Sequence, residues 1–140
     1  MFQLIRHIID QGVYVEVTDI REGKEVVKKD TFQSPGNADT FIKLKLQRYM
    51  SFRLSRYVAH SRQIAENSKS DYYHTTDFKN SFEVCSSLIR GINSKSYFEI
   101  SRMIRDNYQH IWNIHPHRDN RSYNRSVATV FELKNLAEKY

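Results

Sequence analysis

The hydrophobic period of this chain changes once, at Ser34-Pro35-Gly36-Asn37, and that single change limits the architectures open to it. Before it, Val13, Val15 and Val17 alternate with Tyr14, Glu16 and Thr18, the period of a strand with one covered face. Glu25 to Phe32 reads as a second strand, joined to the first by a turn at Arg21-Glu22-Gly23-Lys24. Phe2 to Ile9 fits one helical face about as well as an edge strand, and is read here as a strand. After the break the spacing becomes helical. From about Asp39 to Asn67, with Asn37 or Asp39 as the capping residue, Ile42, Leu46, Met50, Leu54, Tyr57, Ile64 and Ala65 gather on one arc. Lys45, Arg48, Arg56 and Arg62 fall opposite, whereas Lys43 and Arg53 land within or beside the apolar arc, so they must snorkel or the helix must bend or bury less there.

A polar break from Ser68 to His74 precedes a stripe of Phe78, Phe82, Cys85, Ile89 and Ile92, and Gly91 marks the end of that helix. Ser96-Tyr97-Phe98-Glu99 matches a capping box, and the helix it opens carries Ile100, Met103, Ile104, Ile111 and Trp112 until Pro116 stops it. A last helix, roughly Val127 to Lys139, turns Val130, Leu133, Leu136 and Tyr140 towards a core. The pattern predicts an α+β protein: a small N-terminal antiparallel β-hairpin or three-stranded sheet in residues 1–36, then a long basic helix and three further helices. No linker or low-complexity tract divides the 140 residues, so they are read as a single domain, with residues 38–140 mainly helical.

Charge narrows the partner class. Between Thr40 and Ala65 stand Lys43, Lys45, Arg48, Arg53, Arg56 and Arg62 with no Asp or Glu, so the whole excess of +6 lies there. Such a field attracts polyanions, of which nucleic acid is the commonest. The bland alternative pairs those arginines with hairpin carboxylates such as Glu16, Asp19 or Glu22. Phe41 and Phe52, near the cationic arc, are placed either to stack on bases or to pack beneath a neighbouring element. Cys85 is the only cysteine, which excludes an internal disulfide and fits a reducing, cytoplasmic setting. No run approaches the ~18 apolar residues of a membrane span, so no membrane partner is expected. Met50, Tyr57 and Ile64 recur every seven residues, a spacing that leaves a homodimer open.

Two further constellations bear on chemistry. The helices flanking Gly91-Ile92-Asn93-Ser94-Lys95 are compatible with a helix-turn-helix in which Arg102, Arg105 and Gln109 face outward, residue types that read guanine and adenine. In His110 to Arg125, His115, His117 and Asp119 are candidate metal ligands, while Arg118, Arg121 and Arg125 suit phosphate contacts. There is no phosphate-cradling glycine loop, nucleophile elbow or cysteine pair, so neither an enzyme nor a cofactor is implied.

Residues 115–125 resemble the metal-binding part of His-Asn-His nucleases, although Pro116 and Tyr123 replace a histidine and an asparagine of that pattern and no later histidine follows. That resemblance implies metal-dependent DNA cleavage. Residues 13–47, with Gly12-Val-Tyr-Val-Glu-Val17 and Gly23-Lys-Glu-Val-Val-Lys-Lys-Asp-Thr-Phe32, resemble the sheet-plus-helix DNA-binding domains of plant ethylene-response factors and phage integrases. That resemblance implies that Tyr14, Glu16, Lys24, Lys28 and Lys29 face the major groove. The expectation is a DNA-binding protein, and size and composition suggest a phage or mobile-element regulator. The alternatives are an interaction module or host-enzyme inhibitor docking on an acidic protein surface, and the nuclease.

Overall fold

Alternation in the sequence becomes a sheet with one covered face. The computed structural model describes residues 1–9, 12–21 and 23–139. Phe2–Ile9 (β1), Gly12–Arg21 (β2) and Lys24–Phe32 (β3) are antiparallel in the order β1-β2-β3. Register pairs Phe2 with Asp19, Val17 with Lys28 and Arg21 with Lys24. The central strand buries Val13, Val15 and Val17 almost completely, whereas β3, an edge strand of poor alternation, is exposed along nearly all its length.

The long helix α1 spans Pro35–Asn67, 33 residues and about 50 Å. It starts earlier than the sequence suggested. Ser34, not Asn37 or Asp39, caps it: the Ser34 hydroxyl accepts from the Asn37 N–H at 3.3 Å, and Pro35 takes the first helical position, where a missing N–H is harmless. The chain forms two compact units, Met1–Tyr49 and Met50–Tyr140, and their boundary falls within α1.

In the first unit the opening turns of α1 cover the valine face of the sheet. Ala38, Ile42 and Leu46 are buried there, Phe41 packs on Phe32 at 5.1 Å, Tyr49 on Phe2 at 5.0 Å, and Arg6 pairs with Asp39 at 2.7 Å. The other face of the sheet, with Ile5, Ile9 and Val27, is exposed.

The second unit holds the rest of α1 together with α2 (Thr76–Leu88), α3 (Tyr97–Asp106), α4 (Tyr108–Asn113) and α5 (Tyr123–Lys139). α2 packs on α4 and α3 on α5. Tyr57 Oη donates to the Ile111 carbonyl at 2.5 Å and Tyr97 Oη to that of Leu136 at 3.3 Å, so two buried phenols tie helices together. Thr75 caps α2 and Ser96 caps α3, the latter accepting from the Glu99 N–H at 3.2 Å as the capping box requires.

Among the described residues four α-helices follow α1 rather than three, because the one expected from Ser96 to Pro116 breaks at Asn107. There φ is −118°, and both the backbone N–H and the side-chain amide of Asn107 bond to the Met103 carbonyl, at 3.0 and 2.9 Å. An asparagine competing for the backbone in this way ends a helix that its apolar spacing would have continued. α5 begins four positions earlier than Val127, at Tyr123. Arg53, off-pattern on the wheel, is half-buried and donates to Thr129 Oγ1 at 3.0 Å. The seven-residue repeat is not a seam: Met50 and Tyr57 are buried inside the chain. Glu22 and Tyr140, named above, lie outside the described residues. Among those described, no helix is long and apolar enough to cross a membrane.

Candidate nucleic-acid interface

Register and helix phase together build a basic groove in the first unit. Odd positions of β2 and even positions of β3 share the face towards α1, so Arg21 and Lys24 stand as one cross-strand pair and Lys28 lies opposite Val17. One turn apart on α1, Lys45 and Arg48 complete a groove of about 420 Å³ floored by Phe2, Val17 and Val26. Among the described residues a single carboxylate, Asp19, lines it and is already held by Arg21, whose Nε lies 2.6 Å from Asp19 Oδ2 as an ion contact rather than an aligned hydrogen bond. The Arg21 guanidinium also lies over the Tyr49 ring at 5.5 Å. No carboxylate lies within ion-pair distance of Lys24, Lys28, Lys45 or Arg48 among the described residues. Lys45 is half-buried with its ammonium 5.3 Å from the Phe41 ring. Partial burial, then the charges of Lys28 and Arg48, hold its pKa below the ordinary lysine value, against a weaker opposing pull from Asp30.

Two of the hairpin carboxylates, Asp19 and Glu16, are occupied on the sheet itself. Besides the Asp19–Arg21 contact, Glu16 accepts from Tyr14 Oη at 3.0 Å and pairs with Lys29 at 3.5 Å on the opposite face. The Tyr14 hydroxyl, and secondarily Lys29, hold the Glu16 carboxyl below the usual carboxylate range.

In the second unit Arg56 and Arg62 are exposed on α1, and Arg62 lies over the Phe82 ring at 5.4 Å. Arg125, at the start of α5, joins Arg56 around His60: burial first, then these two guanidinium charges, push the His60 pKa down. Two residues far apart in sequence thus act on the same histidine. Arg118 and Arg121 are exposed in the segment leading to α5.

Other predicted sites are dispersed. Arg102, Arg105 and Gln109 are all exposed, but the break at Asn107 puts Gln109 on a separate helix. Arg102 lies 3.5 Å from Asp106 and Gln109 donates to Asn113 at 2.9 Å. α2 packs chiefly on α4 and α3 on α5, so each of the two helices flanking Gly91 has its main partner elsewhere.

The histidine-rich segment is built into the fold. Tyr72 Oη donates to the carbonyls of Asn113 and His115 at 2.9 and 3.3 Å, the His117 N–H donates to Tyr73 Oη at 3.1 Å, and Pro116 is buried. His115 Nδ1 faces the Trp112 carbonyl, whereas His117 Nδ1 faces Asp119 Oδ2 at 3.2 Å. Among the described residues no three His, Cys, Asp or Glu side chains converge as metal ligands, so His115, His117 and Asp119 do not form the centre that the nuclease pattern requires.

The residues implied by the sheet-plus-helix resemblance are likewise divided. Tyr14, Glu16 and Lys29 occupy the outer face of the sheet, Lys24 and Lys28 the face towards α1, so the five do not present one surface. In the sequence, Lys24 and Lys28 stand out only through that resemblance, and Arg21 does not stand out at all. Their even spacing across Val26, set opposite Asp19, was the available signal.

The fold and these surfaces define an α+β protein with a basic groove on its sheet-plus-helix unit and exposed arginines on its helical unit. Comparison with known families, curated proteins and solved structures returned no match in any of the three.

Proposed function

We propose that this chain is a small nucleic-acid-binding protein, directed at DNA, that contacts phosphates through the cations of α1. The observation that carries this reading is that Arg48, Arg56 and Arg62 reach solvent while Glu16 and Asp19 are engaged by Lys29 and Arg21. Cations so disposed neutralise phosphates and release counterions, which yields affinity without base preference. Arg102, Arg105, Gln109, Arg118, Arg121 and Arg125 are auxiliary contacts in this reading, and their exposure is compatible with it. Size and composition suggest a regulator from a phage or mobile element, acting in a reducing cytoplasm.

Gel-shift titration against mixed-sequence duplex and single-stranded DNA, at low and moderate salt, tests the proposal. Binding should weaken on every sequence in Arg48→Ala/Arg56→Ala. For duplex the slope of log K against log salt should become shallower by about 0.9 for each phosphate that is no longer neutralised. No shift at low salt would overturn the reading and transfer the cations to an acidic protein partner.

A further inference from the structure

We propose that the groove between β2, β3 and the first half of α1 binds one nucleotide unit, with its phosphate among Lys24, Lys28, Lys45 and Arg48 and its base over Phe2 and Val26. Three observations converge on this ligand class. The cavity, about 420 Å³, lies in the size range of small-ligand sites and is too small for a duplex. Lys24 and Lys28 on β3 and Lys45 and Arg48 on α1 line it together, with no carboxylate in ion-pair distance of any of the four among the described residues, so their mutual repulsion is relieved when an anion sits between them. Asp19 lines the same groove, and its buried Oδ1 has no hydrogen-bond partner among the described residues. A buried carboxylate oxygen without a donor accepts from a hydroxyl or amino group, and a nucleotide brings both beside its phosphate, whereas a bare phosphate brings neither.

The depressed pKa of Lys45 agrees with this crowding. Val26, an apolar side chain half-exposed at the groove, gives a base a surface to cover. The same chemistry is available from a free nucleotide or from a nucleotide within a single strand. Lys45 and Arg48 serve both this site and the nucleic-acid reading, whereas Lys24, Lys28, Asp19 and Val26 belong to this site alone.

The test is fluorescence anisotropy of the full chain with labelled ATP and with a labelled single-stranded oligothymidylate, each competed by inorganic tripolyphosphate. The variants are Lys24→Ala/Lys28→Ala and the charge-matched control Lys69→Ala/Lys79→Ala, all at exposed positions, with circular dichroism confirming the fold. At least a tenfold loss of affinity in the first pair and less than twofold in the second supports the site. Loss for ATP assigns the groove to free nucleotides, and loss for the oligonucleotide alone assigns it to a strand. Binding of neither probe, equal effects of the two pairs, or displacement by tripolyphosphate as efficient as by unlabelled ATP overturns it. Oligonucleotide binding indifferent to Lys24 and Lys28 removes the groove and leaves the nucleic-acid reading standing. Saturable ATP binding without any DNA shift does the reverse.

Discussion

Gly12→Ala should be among the most damaging single substitutions in the sheet unit. Gly12 opens β2 at φ +141°, and a Cβ built there meets the Phe32 carbonyl oxygen at 1.9 Å. Two costs add. A side chain at such a φ costs about 1–3 kcal/mol, and relief of the contact needs a displacement of more than ~1 Å. That displacement opens the Val13–Phe32 end of the β2–β3 ladder, where each broken hydrogen bond costs about 0.5–1.5 kcal/mol. The total, about 3 kcal/mol, corresponds to a Tm lowered by roughly 6–12 °C in a chain of this length. Gly36→Ala is the internal comparison. Gly36 lies in the first turn of α1 with open space around its Cβ position, so alanine should stabilise by about 0.5–1 kcal/mol through the unfolded chain. Urea titration followed by far-ultraviolet circular dichroism reads both. Were Gly12→Ala to lie within about 0.5 kcal/mol of the native chain, the close approach of β2 to Phe32 would be refuted.

Glu16 and Cys85 yield two further expected outcomes. The Glu16 carboxyl is held low in the folded state, chiefly by Tyr14, so its stabilising contribution is present above the unfolded-state pKa and lost as pH falls through the lower folded one. Urea midpoints from pH 7 down to pH 3 should therefore fall more steeply for the native chain than for Glu16→Gln, and parallel curves would contradict the assignment. Burial pushes the Cys85 thiol up to about 12, so iodoacetamide at pH 8 should label it only after urea unfolds the chain. Modification of native protein at the rate of a small thiol would show that Cys85 is not enclosed.

Legibility differed by feature for identifiable reasons. The Val13-Val15-Val17 alternation, the stripe through Phe78 and Cys85, and the Ser96–Glu99 box are short-range patterns, and each reappears at its expected place. The break at Asn107 was hidden because apolar spacing continues across it to Ile111, while the side-chain bond to Met103 that ends the helix leaves no periodic mark. The histidines suggested metal chemistry because ligand types cluster in sequence. Yet Tyr72 and Tyr73, some forty residues away, anchor that segment so that His115 and His117 face different partners.

Sequence alone determined that the excess positive charge is concentrated in one helix and that a small sheet precedes a helical remainder, since composition and hydrophobic period are local properties. Tertiary structure decided which cations share a surface. Lys24 and Lys28 line one groove with Lys45 and Arg48, and Arg125 and Arg56 both bear on His60, only because strand register and helix packing bring distant segments together. Those pairings depend on contacts across tens of residues, which no local spacing encodes.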